Sequence, residues 1–147
     1  MKNPQTVAEN LAKVFPNPKL KAIGDFACCC FTLMWYLGID QSDADAIIKV
    51  GNLIDQKALD GECTVYWFPV VKALTGRELE SVTEEKITSI KKIKGKAIVK
   101  YMNGTQPHWV GVENGKIVFN SKVYSKTIQQ GKPVLIKVLK FKGVVKV

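Results

Sequence analysis

Three adjacent cysteines, Cys28 to Cys30, open an apolar segment, and the only histidine of the chain, His108, lies far downstream. A thiol hydrolase needs a cysteine at the N-terminus of a helix, where backbone amides and the helix dipole stabilise the thiolate. It also needs a histidine as base and a third polar group that orients this histidine. Asn120 is the candidate for the third group. These residue types allow cysteine nucleophile chemistry.

The elements predicted around His108 and Asn120 bring the two residues together. Residues 108–113 and 116–120 are rich in β-branched and aromatic side chains, and Asn114-Gly115 between them is the strongest hairpin signal in the chain. Strands joined by a tight hairpin are antiparallel neighbours, so the start of the first lies beside the end of the second. Further strands are predicted over residues 96–101 and 134–141.

The first half of the chain is predicted to be helical. The segment over residues 26–37 is apolar on every side and ends at Gly38, which predicts a buried central helix. Helices followed by an antiparallel sheet predict one α+β domain over residues 1–147. The other predicted helices cover residues 6–15 with Thr6 and Glu9 as a capping box, residues 42–53 with Ser42 or Asp43 as the cap, residues 64–74 with Pro69 in the first turn and Gly76 at the end, and residues 83–93.

These motifs resemble the papain-like cysteine peptidase superfamily, specifically the peptidases that process double-glycine bacteriocin leaders and their relatives in bacteria and phages. That family has a Cys-Gly-Pro signature that opens a central helix, a Tyr-Leu-Gly-like turn that ends it, and a later histidine followed by valines. The resemblance covers roughly residues 24–121 and implies a papain-like fold, with a helical half packed on an antiparallel sheet. The similar segments here are Gly-Asp-Phe-Ala through Tyr-Leu-Gly (24–38), Tyr-Trp-Phe-Pro-Val-Val-Lys (66–72), His-Trp-Val-Gly-Val (108–112) and Phe-Asn-Ser (119–121).

The chain departs from the family at the nucleophile. In a gap-free overlay Asp25 takes the nucleophile position, and Lys19 takes the place of the glutamine that the family uses in its oxyanion hole. Asp25 would then be a structural cap at a helix N-terminus, forming an ion pair with His108 across the cleft. A shift of the overlay by three residues exchanges Asp25 for Cys28, about one helical turn further on.

Two interpretations exist for the cysteines and for the histidine. Cysteines on an apolar helix usually pack as small hydrophobes, which predicts core positions for the trio, with Cys28 as the alternative nucleophile. A metal site is disfavoured because adjacent side chains splay apart, whereas zinc sites use spaced pairs. No metal or cofactor is predicted. His108 is either a hydrogen-bonded residue at a strand start or a residual base oriented by Asn120.

The composition is that of a globular protein, with 46% apolar and 24% charged residues. The formal net charge of +9 comes mainly from lysines, many of them between Lys86 and Lys146. A solvated lysine-rich face or a weak attraction to nucleic acid or another polyanion would explain this excess. The sequence shows no signal peptide and no apolar run long enough to span a bilayer, which predicts a cytoplasmic protein.

These observations predict a catalytically degenerate papain-like domain, a pseudoenzyme that binds a peptide, protein or other ligand at the former active-site cleft. The alternative is an active cysteine hydrolase or peptidase that uses Cys28, or a neighbouring cysteine, with His108 and Asn120. A third interpretation is a basic protein that binds nucleic acid or another polyanion.

Overall fold

A computed structural model describes residues 1–143, and Lys146 lies outside this range. Within the described residues, six helices and one five-stranded antiparallel sheet form a mixed α+β fold. The N-terminal helices are α1 (Pro4–Val14), α2 (Pro18–Phe26), α3 (Cys28–Tyr36), α4 (Asp43–Asp55) and α5 (Trp67–Thr75). The remaining elements are β1 (Leu79–Lys86), β2 (Lys96–Asn103), β3 (Gln106–Glu113), β4 (Lys116–Phe119), α6 (Lys126–Gln130) and β5 (Lys132–Phe141).

The sheet has the strand order β1-β5-β2-β3-β4, and each neighbouring pair is antiparallel. The predicted hairpin is confirmed: β3 and β4 are joined at Asn114 and Gly115, whose φ angles are 50° and 80°. Positive φ at both central residues matches the twist of the flanking strands, and Asn-Gly adopts it at low cost. The other two predicted strands are also confirmed, as β2 and β5 with shifted ends.

The two faces of the sheet are covered differently. Helix α3 packs on β3, and a Cβ added at Gly111 would lie 2.4 Å from the ring of Trp35, so this contact requires a glycine. Phe31, Leu33 and Met34 of α3 are fully buried, which confirms the predicted central helix position. Side chains alternate along strands, and the opposite face carries a smaller apolar cluster. That cluster consists of Ala97, Val99, Tyr101, Val110 and Val112.

The helix predicted over residues 26–37 is confirmed as α3, although it begins at Cys28 because Phe26 is the last residue of α2. Pro18 begins α2, a helix that was not predicted; a proline in the first turn gives up no helical hydrogen bond. Asn17 caps this helix by accepting hydrogen bonds from the Lys19 and Leu20 amides. Ala27 separates the two helices. Cys28 is therefore the first residue of α3.

Other predictions give mixed results. The helix over residues 83–93 is wrong, because β1 occupies residues 79–86 and pairs with β5 along its length. The capping box is wrong as well: α1 begins at Pro4, and the Thr6 hydroxyl accepts a hydrogen bond from the Val123 amide. Helices α4, capped by Ser42, and α5, ended by left-handed Gly76, are confirmed.

Candidate functional site

His108 and Asn120 form a hydrogen-bonded pair at the end of the β3–β4 hairpin, as the strand pairing predicted. His108 Nε2 lies 2.7 Å from Asn120 Oδ1. The same oxygen accepts a hydrogen bond from the Lys122 amide at 3.1 Å, which identifies it as the acceptor. Nε2 therefore donates, and the lone pair of His108 lies on Nδ1. This tautomer leaves Nδ1 able to accept a proton.

The surroundings of His108 keep its imidazole neutral. His108 is buried, with 4% of its surface exposed. Burial lowers the pKa of His108, the positive charge of Lys122 acts in the same direction, and the hydrogen bond to Asn120 opposes both. The neutral imidazole is the form that acts as a base.

Helix α1 holds the end of β4 in place. Asn3 Nδ2 donates to the Asn120 carbonyl at 3.0 Å, and the Gln5 and Thr6 amides donate to the Ser121 carbonyl. The Ser121 hydroxyl donates to Gln5 Oε1 at 2.7 Å, and both residues are almost fully buried. The pairing of Gln5 with Ser121 was not predicted. The residues around Gln5, Asn-Pro-Gln-Thr, are polar, so the local sequence does not mark Gln5 as buried.

The first turn of α3 is bound to the main chain of β3 next to His108. The Thr32 hydroxyl donates to the Cys28 carbonyl at 2.8 Å and lies 3.2 Å from the Trp109 carbonyl oxygen. This edge of β3 is open to α3 because β4 pairs with β3 only from Gly111 onward. The main chain of Trp109 also lowers the pKa of the Cys28 thiol, and both residues line the same cleft. The thiol therefore lies beside the residue that directly follows His108.

The Cys28 thiol is protonated near neutral pH. Burial raises the pKa of Cys28, while the Trp109 main chain, the charge of Lys122 and the amides of the first helical turn lower it. No hydrogen bond joins Cys28 to His108 within residues 1–143. The structure thus brings Cys28, His108 and Asn120 to one end of the sheet, with the thiol and the imidazole both neutral.

Asp25 and Lys19 lie elsewhere. Asp25 belongs to the last turn of α2 rather than to a helix N-terminus, and its Oδ2 is 2.7 Å from Lys21 Nζ. Lys19 Nζ is 2.7 Å from Asp55 Oδ1 on α4. The expected ion pair between Asp25 and His108 does not form in the described part of the chain. These two positions bring no functional group to His108.

A cleft of about 300 Å³ opens beside Cys28. Trp67 of α5 and Trp109 of β3 form part of its lining, with ring centroids 6.1 Å apart at an interplanar angle of 64°. Cys28, Cys29, Cys63 and Lys137 also reach the cleft. A ligand in this space would contact aromatic surface and the partly exposed Cys28 together.

Cys29 and Cys30 are packed as the sequence predicted, and Cys63 is buried as well. Burial raises the pKa of each of these three thiols, that of Cys63 to about 12. Among residues 1–143 no group of three His, Cys, Asp or Glu side chains has an arrangement that could hold a metal ion. Cys28 differs from the other three cysteines because it is partly exposed.

Part of the lysine excess is matched by glutamates across one strand pair. Lys137, Lys140 and Lys142 on or next to β5 form ion pairs with Glu84, Glu80 and Glu78 on or next to β1. These pairs reduce the charge that this part of the sheet presents to a polyanion.

Comparisons of the chain with protein-family models, with curated proteins and with solved structures gave no match. The helices described in residues 1–143 are each too short or too polar to cross a membrane. The resemblance to the papain-like peptidases therefore rests on the short sequence motifs.

Proposed function

We propose that this chain is a cysteine hydrolase of papain-like architecture, with Cys28 as nucleophile, His108 as base and Asn120 as the residue that orients the base. The observation that carries the proposal is the hydrogen bond from His108 Nε2 to Asn120, which leaves Nδ1 able to accept a proton at the residue before Trp109, whose carbonyl contacts α3. Cys28 replaces Asp25 in the nucleophile role because the break at Ala27 gives Cys28 the helix N-terminus.

The reaction would start from a neutral pair. As the Cys28 sulfur attacks a substrate carbonyl carbon, His108 Nδ1 accepts the thiol proton. The imidazolium then gives this proton to the leaving group, and a thioester remains on Cys28. Water, deprotonated by His108, hydrolyses the thioester to a carboxylic acid and restores the thiol. Contact between thiol and imidazole would tighten on substrate binding, as catalytic hydrogen bonds often do.

Main-chain amides would replace the missing glutamine in the oxyanion hole. The amides of Cys28 and Cys29 lie close enough to the sulfur to lower the pKa of Cys28. At the start of α3 these groups have no partner within the helix, and the helix dipole adds positive potential there. An oxyanion formed at the sulfur would lie within reach of them.

A second candidate is a degenerate domain that binds a peptide in the same cleft without cutting it. The raised pKa of Cys28 and the absence of a bond from Cys28 to His108 in the described residues favour this alternative. It differs from the hydrolase in one measurable respect, since the reactivity of Cys28 would not depend on His108.

Acylation by p-nitrophenyl acetate tests the proposal without knowledge of the substrate. In the wild type we expect release of nitrophenolate, with acetylation mapped to Cys28 by mass spectrometry. In Cys28→Ser we expect no acetylation at position 28. His108→Ala should slow acylation about 100-fold, since general base catalysis typically contributes this much. Asn120→Ala should slow it less, because the base remains. An equal acylation rate of Cys28 in wild type and His108→Ala would reject the hydrolase and favour the binding domain.

A further inference from the structure

We infer that the cleft beside Cys28 selects ligands that carry a carboxylate group, and that Lys137 binds this carboxylate. The inference deepens the proposed function by naming a substrate class, and it rests on that function in taking Cys28 as the reacting group. The chemical class is an acyl or peptide compound with an acidic side chain near the carbonyl that reacts.

Lys137 is the lysine that reaches the cleft with Cys28. It lies on β5, and its side chain is 15% exposed, which is low for a lysine. Its Nζ lies 5.3 Å from the centroid of the Trp67 ring. The aliphatic part of the side chain is thus held in the sheet, and the ammonium group is directed to the aromatic wall of the cleft.

The sheet surface at this point carries more positive than negative charge. Lys100 Nζ lies 5.7 Å from the centroid of the Trp109 ring, so each tryptophan of the cleft has a lysine over it. Glu84 is the carboxylate paired with Lys137. Both lysines oppose the rise in the pKa of Cys29, so their potential reaches this thiol, which lines the cleft beside Cys28. The acidic residue on the cleft lining itself is the exposed Glu62.

Glu84 indicates which group Lys137 accepts. Glu84 lies on the edge strand β1 with 52% of its side chain exposed, whereas Lys137 is mostly enclosed. A ligand carboxylate that displaced Glu84 would exchange one charge-assisted hydrogen bond for another and leave Lys137 paired. The desolvation of Lys137 has already occurred in the free protein, so this step adds little further cost.

Two alkylating reagents of nearly equal size measure this selectivity. Iodoacetate carries a carboxylate and iodoacetamide does not, so the ratio of their rates at Cys28, divided by the ratio for N-acetylcysteine, reports the preference for an anion. In the wild type we expect a normalised ratio of about ten, and in Lys137→Met a fall of about fivefold. Both effects should be smaller at high salt. Lys137→Arg should retain it, and Glu84→Gln should increase it.

Lys96 offers a matched control. Its Nζ lies 4.8 Å from the Trp35 ring centroid, but Lys96 is not part of the cleft lining. Lys96→Met removes the same charge from the same sheet and should leave the ratio unchanged. An equal fall in Lys96→Met and Lys137→Met would mean general electrostatic attraction and would overturn the inference, as would an unchanged ratio in Lys137→Met.

A second measurement does not depend on the reactivity of Cys28. We expect N-acetylglutamate, but not N-acetylglutamine, to shift the indole N–H resonances of Trp67 and Trp109 saturably, and Lys137→Met to abolish the shift. Equal shifts with both compounds would overturn the inference. A selective shift in a protein whose Cys28 is not acylated by p-nitrophenyl acetate would reject the hydrolase and retain the carboxylate site.

Discussion

The last turn of α2 and the first turn of α3 are separated by one residue, Ala27, but their surroundings differ completely. Asp25 in the α2 turn is partly exposed and pairs with Lys21 of its own helix. Cys28 in the α3 turn is linked to β3 by the Thr32 hydroxyl, which contacts both the Cys28 and the Trp109 carbonyl oxygens. Among the hydrogen bonds of residues 1–143, those of the second turn reach the strand that carries His108, whereas the Asp25 side chain bonds within its own helix.

The difference shows that tertiary anchoring decides which position of this segment is available for chemistry. A surface ion pair within one helix contributes little to the stability of the fold, and it constrains the side chains of that helix alone. Hydrogen bonds between a helix start and the open edge of a strand fix the position of the first turn relative to the sheet. The comparison therefore predicts large effects at the α3 turn and small ones at the α2 turn.

Replacement of Thr32 by valine should produce the largest effect on stability. Thr32→Val keeps the shape of the side chain but removes the hydroxyl that bonds Cys28 and contacts Trp109. Because Thr32 is fully buried, we expect a loss of about 1–2 kcal/mol in the free energy of unfolding, measured in urea. Acylation of Cys28 should also slow, since the first turn of α3 loses its connection to β3.

Thr75 provides the control for this change. Its hydroxyl also donates to the carbonyl four residues earlier, at Val71, but Thr75 lies at the end of α5 and its hydroxyl makes no contact with β3 among the described residues. Thr75→Val should leave Cys28 acylation unchanged. If both variants slowed acylation equally, the α3 turn would have no special role and the comparison would fail.

The next effect is a pH dependence of stability that comes from His108. Burial lowers the pKa of His108 in the folded protein below its ordinary value of 6.5. The unfolded chain therefore binds the proton more tightly. The contribution of the neutral histidine is fully present above pH 6.5 and is lost as the pH falls through the folded pKa. For one titrating group, the free energy of unfolding cannot change by more than about 1.4 kcal/mol per pH unit.

Urea unfolding at pH 7.5 and 5.5 measures this contribution. The loss of stability on acidification should be smaller in His108→Gln, which has no titrating group at this position. Since the chain has no other histidine, few groups titrate in this interval. An identical loss in wild type and variant would show that His108 binds its proton equally in both states, and would contradict a buried neutral base.

Much of the site could be predicted from local sequence signals. The Asn114-Gly115 turn determines the pairing of β3 with β4, and this pairing alone brings His108 to Asn120. The sequence also predicted that the helix after Gly24 would be buried, because Phe31 to Met34 leave no polar face. These predictions succeed because a short turn or an apolar surface needs no distant partner to be recognised.

The rest depended on contacts between distant segments. The break at Ala27 has no glycine or proline signal, and it separates α2, which packs on α1, from α3, which packs on β3. Residues 79–86 are charged and lack clear strand periodicity, yet β1 forms because β5 offers a complete edge and opposite charges. The pairing of Gln5 with Ser121 spans 116 residues. None of these features has a local cause.

The smallest effect is expected at Asp25. Asp25→Asn removes the charge that pairs with Lys21 but leaves α2 and the first turn of α3 unchanged. Acylation of Cys28 should stay within about twofold of wild type, since exposed pairs are screened and Asp25 does not contact the site. A fall in acylation as large as that of His108→Ala would place Asp25 in the reaction and reverse the comparison between the two turns. An unchanged acylation rate in Asp25→Asn, together with loss of acylation at position 28 in Cys28→Ser, would assign the reactive position to α3 rather than α2.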